Sequence, residues 1–272
     1  MTPIRTSPNA TDPGQEAPDR WHQTELIYLY GIAPSSTIIP VPIASVGRLP
    51  RRVELIPFQR IAAITSEVSP RGPLGTPDDL RAHARVLDAV LALAPVLPMR
   101  FGGVMADCQT VVDELLAPHH DEFASRLELL RGHDQFTVKG AYLGDTALRE
   151  TLLAEPKTLR LRDRLQGTDP SEYRNDRLQL GELIARGLDR KRAADTAVLI
   201  QMLAPHAAVV ARPDRVARSS GVRASFLVHR TRTREFEAAA EQLGKRWDGR
   251  IQVRLLGPLA PFDFASPLPA AS

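Results

Sequence analysis

Cysteine, aromatic residues, lysine and long hydrophobic runs are all scarce in this 272-residue sequence. With a single cysteine, Cys108, the chain cannot form a disulfide within itself, which fits a reducing compartment. No apolar run approaches the roughly 20 residues that a membrane-spanning helix needs. We therefore expect a cytoplasmic, soluble protein with no membrane segment.

The signatures of common catalytic and nucleotide-binding sites are absent as well. The sequence contains no GxxxxGK[ST], GxGxxG, HExxH, CxxC or GxSxG pattern, and Gly102-Gly103 is too short to cradle a phosphate. The most site-like run is His119-His120-Asp121-Glu122. Because adjacent helical residues point about 100° apart, both imidazoles cannot easily reach one metal ion. We expect no enzyme activity, no catalytic residue, no cofactor and no metal site.

Packing explains the remaining reactive side chains better than chemistry does. His83 lies on the apolar face of a predicted helix with Leu80 and Leu87, so we expect a hydrogen-bonded histidine at the edge of the core. His119 falls between Leu116 and Phe123 on a second apolar face, which predicts a packed or kink-associated histidine. Nothing near Cys108 marks it as a reactive thiolate.

Charge is distributed unevenly along the chain. Residues 157–254 contain 21 lysines and arginines against 12 aspartates and glutamates, whereas the rest of the chain is acidic. This pattern has two interpretations: the arginine usage of a GC-rich genome, or a basic half that binds an acidic partner. Arg230, Arg232 and Arg234 alternate without interleaved aromatic residues, which argues against nucleic-acid binding and favours a solvated or partner-facing edge.

The pattern of apolar residues predicts an α+β fold with two domains. In the first domain, Thr76 and Pro77 begin a helix that carries Leu80, Leu87 and Leu91, and Pro118 should kink or split a second helix. The predicted strands are Glu25–Ile32, Arg52–Pro57, Arg60–Val68 and a closing strand, Gln135–Leu143. Together these elements predict a mixed α/β sandwich of antiparallel strands and two helices.

After Gly144 the composition changes to helical segments, over 145–165 and 170–207. A β-α-β unit follows, because two strands, Ala224–His229 and Arg250–Leu256, flank a helix long enough for a parallel crossover. We expect a disordered proline-rich tail at 1–23, an α+β domain at 24–144, a helical and β-α-β domain at 145–265, and a short tail at 266–272.

Three ordered motifs resemble those of the GvpL/GvpF family of gas vesicle accessory proteins. A Y-x-Y-G-I strand is followed by a helix with histidine, then by V-L-P-[LM]-R-F-G, and the last strand ends in G-P-x-x-P-[YF]-x-F. The matching residues are Tyr28, Tyr30, Gly31, Ile32; His83, Val86, Leu87, Val96, Leu97, Pro98, Met99, Arg100, Phe101, Gly102; Gly257, Pro258, Pro261, Phe262 and Phe264. The last motif departs from the family's frequent G-P-W-P-P-Y at Leu259, Ala260 and Phe262.

The resemblance implies a C-terminal domain of modified ferredoxin-like character and an accessory protein of gas vesicle formation, hence of buoyancy. It implies a minor component or assembly factor that binds the hydrophobic shell protein and other accessory proteins, with no catalytic residues and no nucleic-acid partner. The candidate structural or interface residues are His83, Arg100, Phe101, Gly102, Gly257, Pro258, Pro261 and Phe262. For Arg100 we expect contacts to backbone carbonyls across the domain junction.

Two other functions stay open from the residues alone. One is a small-molecule-binding regulatory module, since ferredoxin-like units often bind ligands in a cleft. The other is an enzyme with a composite site formed by His83, Arg100 and Asp107, which requires these side chains to meet in a cleft.

Overall fold

Two antiparallel sheets organise the chain, as the computed structural model describes it over residues 25–40, 42–48, 51–69, 74–169, 173–212 and 221–265. The first sheet has the strand order β2-β3-β1-β4, with β5 also paired to β1, and the second has the order β7-β8-β6-β9. The α+β class predicted from the sequence is confirmed. The predicted tails at 1–23 and 266–272 lie outside the described residues.

The first sheet is built around β1 (Leu26–Pro34), whose apolar side chains are buried on both faces. β1 pairs antiparallel with β3 on one side and with β4 and β5 on the other. Central strands buried on both faces read as continuous apolar runs, which is why this strand was predictable. The other strands of the sheet are β2 (Val53–Phe58), β3 (Ile61–Val68), β4 (Leu97–Pro98) and β5 (Val104–Met105).

Helix α1 (Pro77–Leu91) begins as the sequence predicts. Thr76 caps it, Pro77 occupies the first turn, and the side chain of Asp79 completes a capping box with Thr76. The predicted position of Leu80 in the core was wrong, because its side chain is 50% exposed. The buried face of the helix is rotated toward Asp79, Ala82, His83, Val86, Leu87, Val90 and Leu91.

The second predicted helix is split near Pro118, as expected from a ring that cannot continue the hydrogen-bond ladder. A short α2 (Cys108–Thr110) continues into a π-helical turn (Val111–Leu116), and α3 (His120–Leu130) begins after the break. His119 lies at this break, directly before α3, and its ring packs 5.5 Å from that of Phe123 while its side chain stays 49% exposed, so the predicted association of His119 with the kink is confirmed.

The second sheet has β6 (His133–Tyr142) at its centre, between β8 (Gly221–His229) and β9 (Ile251–Leu259). The sequence analysis placed this strand at the close of the first domain, and that placement was wrong. Phe136 of β6 instead packs 5.4 Å from Phe236, which lies on helix α7 (Thr233–Arg246). β8 and β9 are both antiparallel to β6, so they are parallel to each other with β6 between them, a split β-α-β unit.

Helices α4 (Thr146–Ala154), α5 (Pro156–Leu165) and α6 (Arg174–Leu203) follow β6. An ionic network joins them to the second sheet: Arg250 donates to Glu150 at 2.8 Å and to both oxygens of Asp195 at 2.7 Å, and Tyr142 donates to Asp195. A short strand, β7 (Val209–Ala211), lies between the predicted helical segment at 170–207 and the β-α-β unit, where the sequence analysis predicted no strand.

Polar and apolar contacts join the two sheets. Leu227 of the second sheet and Phe264 lie in the same buried cluster as Ile27 and Leu29 of β1. Arg230 donates to the Leu91 carbonyl at the end of α1 and forms an ion pair with Asp134. The Arg230 side chain is nonetheless 41% exposed, as predicted for a solvated edge, and it also bonds across the two sheets.

Candidate functional site

The three motifs, which are distant from one another in the sequence, meet around His83. Its imidazole lies 5.8 Å from the ring of Tyr28, 5.5 Å from Tyr30, 5.7 Å from Phe101 and 6.2 Å from Phe262. We call these five residues the motif cluster. β1 contributes the tyrosines, α1 the histidine, the turn after β4 contributes Phe101, and the segment after β9 contributes Phe262.

Burial keeps the imidazole of His83 neutral, and two hydrogen bonds fix its tautomer. Nε2 lies 3.2 Å from the Met99 carbonyl, which can only accept, so Nε2 carries the proton. Nδ1 then accepts from the Tyr28 hydroxyl at 2.9 Å, and that hydroxyl accepts from the Gly102 backbone N–H at 3.2 Å. Burial lowers the pKa of His83, and the bond to Met99 only partly opposes that shift. The predicted hydrogen-bonded histidine is confirmed, although it lies deep in the core with 3% exposure.

The two tyrosines tie the cluster to its surroundings. The Tyr30 hydroxyl bonds to Ser66 of β3 and accepts from the Val46 backbone N–H, both at 2.9 Å. Burial raises the pKa of Tyr28 to about 12 and also raises that of Tyr30, so both phenols stay protonated. Because neither phenol ionises at neutral pH, these groups act as hydrogen-bond partners and not as bases.

The final motif requires glycine at its first position. Gly257 has a φ of 153°, and a Cβ placed there would lie 2.5 Å from the Phe136 ring. Any larger residue would therefore displace the core of the second sheet. Pro258 and Pro261 then carry the chain from β9 back to the first sheet, where Ala260 is buried among the residues that pack on α1.

One side of the motif cluster faces solvent. Phe262 is 41% exposed, Phe101 is half-buried, and Arg100 is exposed. We call these three residues the contact face. The predicted carbonyl contacts of Arg100 are not found, since its guanidinium has no hydrogen-bond or ion-pair partner among the described residues. Bonds that join the two halves include those of Arg230 and of Arg126, which donates to the Ala265 carbonyl at 2.8 Å.

Comparison with known proteins gives the same assignment as the motifs. The sequence matches the family described as "Gas vesicle synthesis protein GvpL/GvpF" over residues 26–266. This chain belongs to the GvpL/GvpF family.

Relatives and solved structures cover nearly the whole chain. It is 31% identical to gas vesicle protein F of Streptomyces sp. (strain CB03234), over 87% of this chain and 98% of the relative. It is 24% identical to gas vesicle protein F of Dolichospermum flosaquae, over 88% of this chain and 97% of the relative.

Crystal structures of the gas vesicle protein GvpF show the same fold. The structure from Anabaena sp. PCC7120 has a TM-score of 0.72 at 24% identity, over 90% of this chain and 99% of the other. The structure from Microcystis aeruginosa has a TM-score of 0.71 at 23% identity, over 89% and 99% of the two chains. Membership of the family assigns this chain an accessory role in gas vesicles, and the family is not a known enzyme family.

The composite site that the sequence left open does not assemble. Both ring nitrogens of His83 are occupied inside the core, and Arg100 faces solvent. The Asp107 carboxylate caps α2 by accepting from the Thr110 backbone N–H at 2.7 Å. Within the described parts of the chain, no hydrogen bond or ion pair joins any two of these three residues.

The histidines at 119 and 120 do not form a metal site either. His119 approaches Glu122 at 3.6 Å, whereas His120 bonds to Asp121 at 2.9 Å, so the two imidazoles bond to different carboxylates. Among the described residues, no three histidine, cysteine, aspartate or glutamate side chains are placed to hold a metal ion. None of the described helices combines the length and the hydropathy of a membrane span.

Sequence reasoning missed two aspartates that hold the cluster in place. Asp79 accepts the backbone N–H of Gly47 at 3.0 Å, which ties a loop of the first sheet to α1. Asp263, beside Phe262, accepts from Ser225 and Gln135 of the second sheet. The spacing of Asp79 from Thr76 was the available signal for the capping box. Nothing local marks Asp263, because its partners are distant in sequence.

Proposed function

We propose that this chain is an assembly factor or minor component of gas vesicles that binds the hydrophobic shell protein and other accessory proteins in the cytoplasm. Family membership supports the gas vesicle role, and the contact face carries the binding part of the proposal. Arg100 and Phe262 are family-motif residues, yet neither is buried, and Arg100 makes no bond that the described fold needs.

A physical argument favours such a partner. A shell subunit that packs into a gas-tight wall must expose apolar surface before it assembles, and exposed apolar surface aggregates unless another protein covers it. An exposed aromatic ring beside an arginine is typical of residues that dominate the binding energy of interfaces. The contact face therefore has the composition expected of a small docking site for such a subunit.

The basic half of the chain contributes less free charge than its composition indicates. Many arginines of this half form ion pairs within the chain, among them Arg162, Arg164, Arg186, Arg190, Arg192, Arg223, Arg232 and Arg250. Surface pairs of this kind reduce the charge available to an acidic partner. We therefore expect raised salt to weaken the complex with the shell protein only modestly, and a complex unaffected by salt would exclude an electrostatic contribution.

The test is co-expression of the full chain with a gas vesicle shell protein, followed by measurement of the co-purified shell protein. We expect Arg100→Ala and Phe262→Ala each to reduce the co-purified amount about tenfold or more, the size typical of an interface hot spot. Arg100→Ala should leave the thermal midpoint unchanged, because exposed and unbonded side chains contribute within about 0.5 kcal/mol to stability.

A matched control is Arg85→Ala, which removes an exposed arginine from α1 away from the contact face. This variant should retain the shell protein as the unaltered chain does. If both contact-face variants retain the shell protein fully, the contact lies elsewhere. If the unaltered, folded chain does not retain it, the proposal of direct shell binding is wrong.

A further inference from the structure

The outer edge of the second sheet is open along β9. β6 covers one side of β9, and within the described residues no strand pairs with its other side. An unpaired edge presents backbone N–H and C=O groups that can accept another strand. The edge is nine residues long, enough for pairing over several hydrogen bonds.

Hydrogen bonds at the start of β9 show which of its backbone groups point away from β6. The Leu143 N–H donates to the Arg250 carbonyl at 3.0 Å, so the backbone of residue 250 faces β6. The N–H of Ile251 turns away from β6 and donates to the Trp247 carbonyl at 2.9 Å. Because backbone direction alternates along a strand, the N–H and C=O groups of Val253 and Leu255 point to the open edge.

A groove lies beside the same two residues. It has a volume of about 570 Å³ and separates β9 from α7, with Val253 and Leu255 on one wall and Ala240 and Gly244 on the other. The groove exists because α7 has small residues here: a Cβ placed at Gly244 would lie 4.0 Å from the Val253 Cβ. An added strand would have residues opposite Val253 and Leu255. Their side chains would project to the same face of the sheet as Val253 and Leu255, and therefore into the groove.

The groove is acidic, in contrast to the basic surplus of this half of the chain. Its rim carries Glu237, Glu241 and Asp248 against one lysine, Lys245. Lys245 pairs with Glu241 at 2.8 Å, which leaves Glu237 and Asp248 without a cationic partner among the described residues. Charge complementarity therefore selects a basic occupant.

From these observations we infer that β9 accepts an extended, basic segment of a partner protein as an additional antiparallel or parallel strand. Main-chain bonds to Val253 and Leu255 hold the segment, alternate apolar side chains enter the groove, and a lysine or arginine meets Glu237 and Asp248. This surface is separate from the contact face, so the inference does not depend on shell-protein binding there.

The test uses the full chain labelled for NMR and two synthetic hexapeptides with blocked ends, one alternating lysine and valine, the other alternating glutamate and valine. We expect the lysine peptide to slow hydrogen exchange of the Val253 and Leu255 amides about tenfold or more at saturation, as new backbone bonds form. The Gln252 and Arg254 amides, which face β6, should be protected with and without peptide. The glutamate peptide should have no effect.

Gly244→Leu provides a variant that fills the groove while favouring the helix, since leucine is the better helix former. It should fold normally and lose the peptide-induced protection, whereas Gly244→Ala, whose methyl group has room, should keep most of it. The inference is wrong if the lysine peptide leaves the two amides unprotected, if the glutamate peptide protects them equally, or if Gly244→Leu binds as before.

Discussion

At the scale of single residues, His83 shows how a polar side chain can be part of a core. Its two nitrogens bond in opposite senses, one donating to Met99 and the other accepting from Tyr28, and four aromatic rings surround it. Protonation of Nδ1 would remove the acceptor that Tyr28 needs and place a charge in an apolar site. The arrangement therefore suits only the neutral imidazole.

Stability should depend on pH through this histidine. Burial lowers the pKa of His83 below the ordinary 6.5, so the unfolded chain binds more protons than the folded chain once the pH falls below that value. We expect the contribution of His83 to the free energy of unfolding to be constant above pH 6.5. As the pH is lowered below 6.5, the free energy of unfolding should decrease by up to about 1.4 kcal/mol per pH unit. Urea unfolding between pH 5 and 8 measures this dependence.

Two histidine variants separate His83 from the other titrating groups. His83→Gln should lose most of the pH dependence in this range, whatever its overall stability. His119→Gln removes a half-exposed imidazole and should keep the dependence. If the free energy of unfolding changes equally with pH in the unaltered chain and in both variants, the assignment of this dependence to His83 is wrong.

At the scale of elements, the start of α1 connects three segments of the first sheet. The Asp79 carboxylate accepts from the backbone N–H groups of Gly47, Gly75 and Thr76 and from the Thr76 hydroxyl. Burial would raise the pKa of Asp79, but these hydrogen bonds outweigh burial and lower it. The carboxylate is thus ionised and stabilises both the helix end and the preceding loop.

Replacing Asp79 should cost far more stability than replacing its neighbour. Asp79→Ala leaves three buried or half-buried N–H groups without their acceptor, and we expect a loss of about 2–4 kcal/mol. Asp78→Ala removes an exposed side chain that pairs with Arg81, and we expect a loss below about 0.5 kcal/mol. Urea unfolding at neutral pH measures both, and similar losses would show that the loop does not depend on Asp79.

At the scale of the whole molecule, the two sheets exchange chain segments. β6 leaves the first half of the chain to become the centre of the second sheet, and the segment after β9 returns to pack Ala260 and Phe264 against elements of the first sheet. Each core therefore contains residues from the other half of the sequence. The predicted boundary near residue 144 falls just after β6, between that strand and its partners.

A fragment of residues 1–144 should consequently not fold as a unit. β6 would lose both β8 and β9, and the first sheet would lose the apolar residues of the returning segment. We expect the fragment to bind a hydrophobic dye and to melt without a cooperative transition, whereas the full chain melts cooperatively. A cooperative transition with native near-ultraviolet dichroism in the fragment would contradict this expectation.

Because the two sheets share chain segments, truncated chains are unsuitable for locating the contact with the shell protein. Loss of shell-protein binding by a chain cut at 144 would report unfolding as readily as a missing contact. Point substitutions on the contact face avoid that ambiguity, because they leave both sheets intact.

The local elements were the most predictable part of the structure. The apolar run of β1, the capped start of α1 and the break at Pro118 each follow from forces that act within a few residues. Strand partners were less predictable, because the two neighbours of β6 in the sheet, β8 and β9, are distant from it in sequence. The rotation of α1 that exposes Leu80 and buries Asp79 followed from loop contacts with Gly47 that no local pattern encodes.

The sequence by itself determined the α+β class, the family motifs and the lack of recognisable catalytic patterns, because residue types, spacing and order carry those properties. Only the tertiary structure decided that His83, Phe101 and Phe262 meet, that Arg100 faces solvent, and that β9 has an open edge beside an acidic groove. The physical reason is that these properties depend on contacts between residues far apart in the chain, which form only when burial of the two cores brings the segments together.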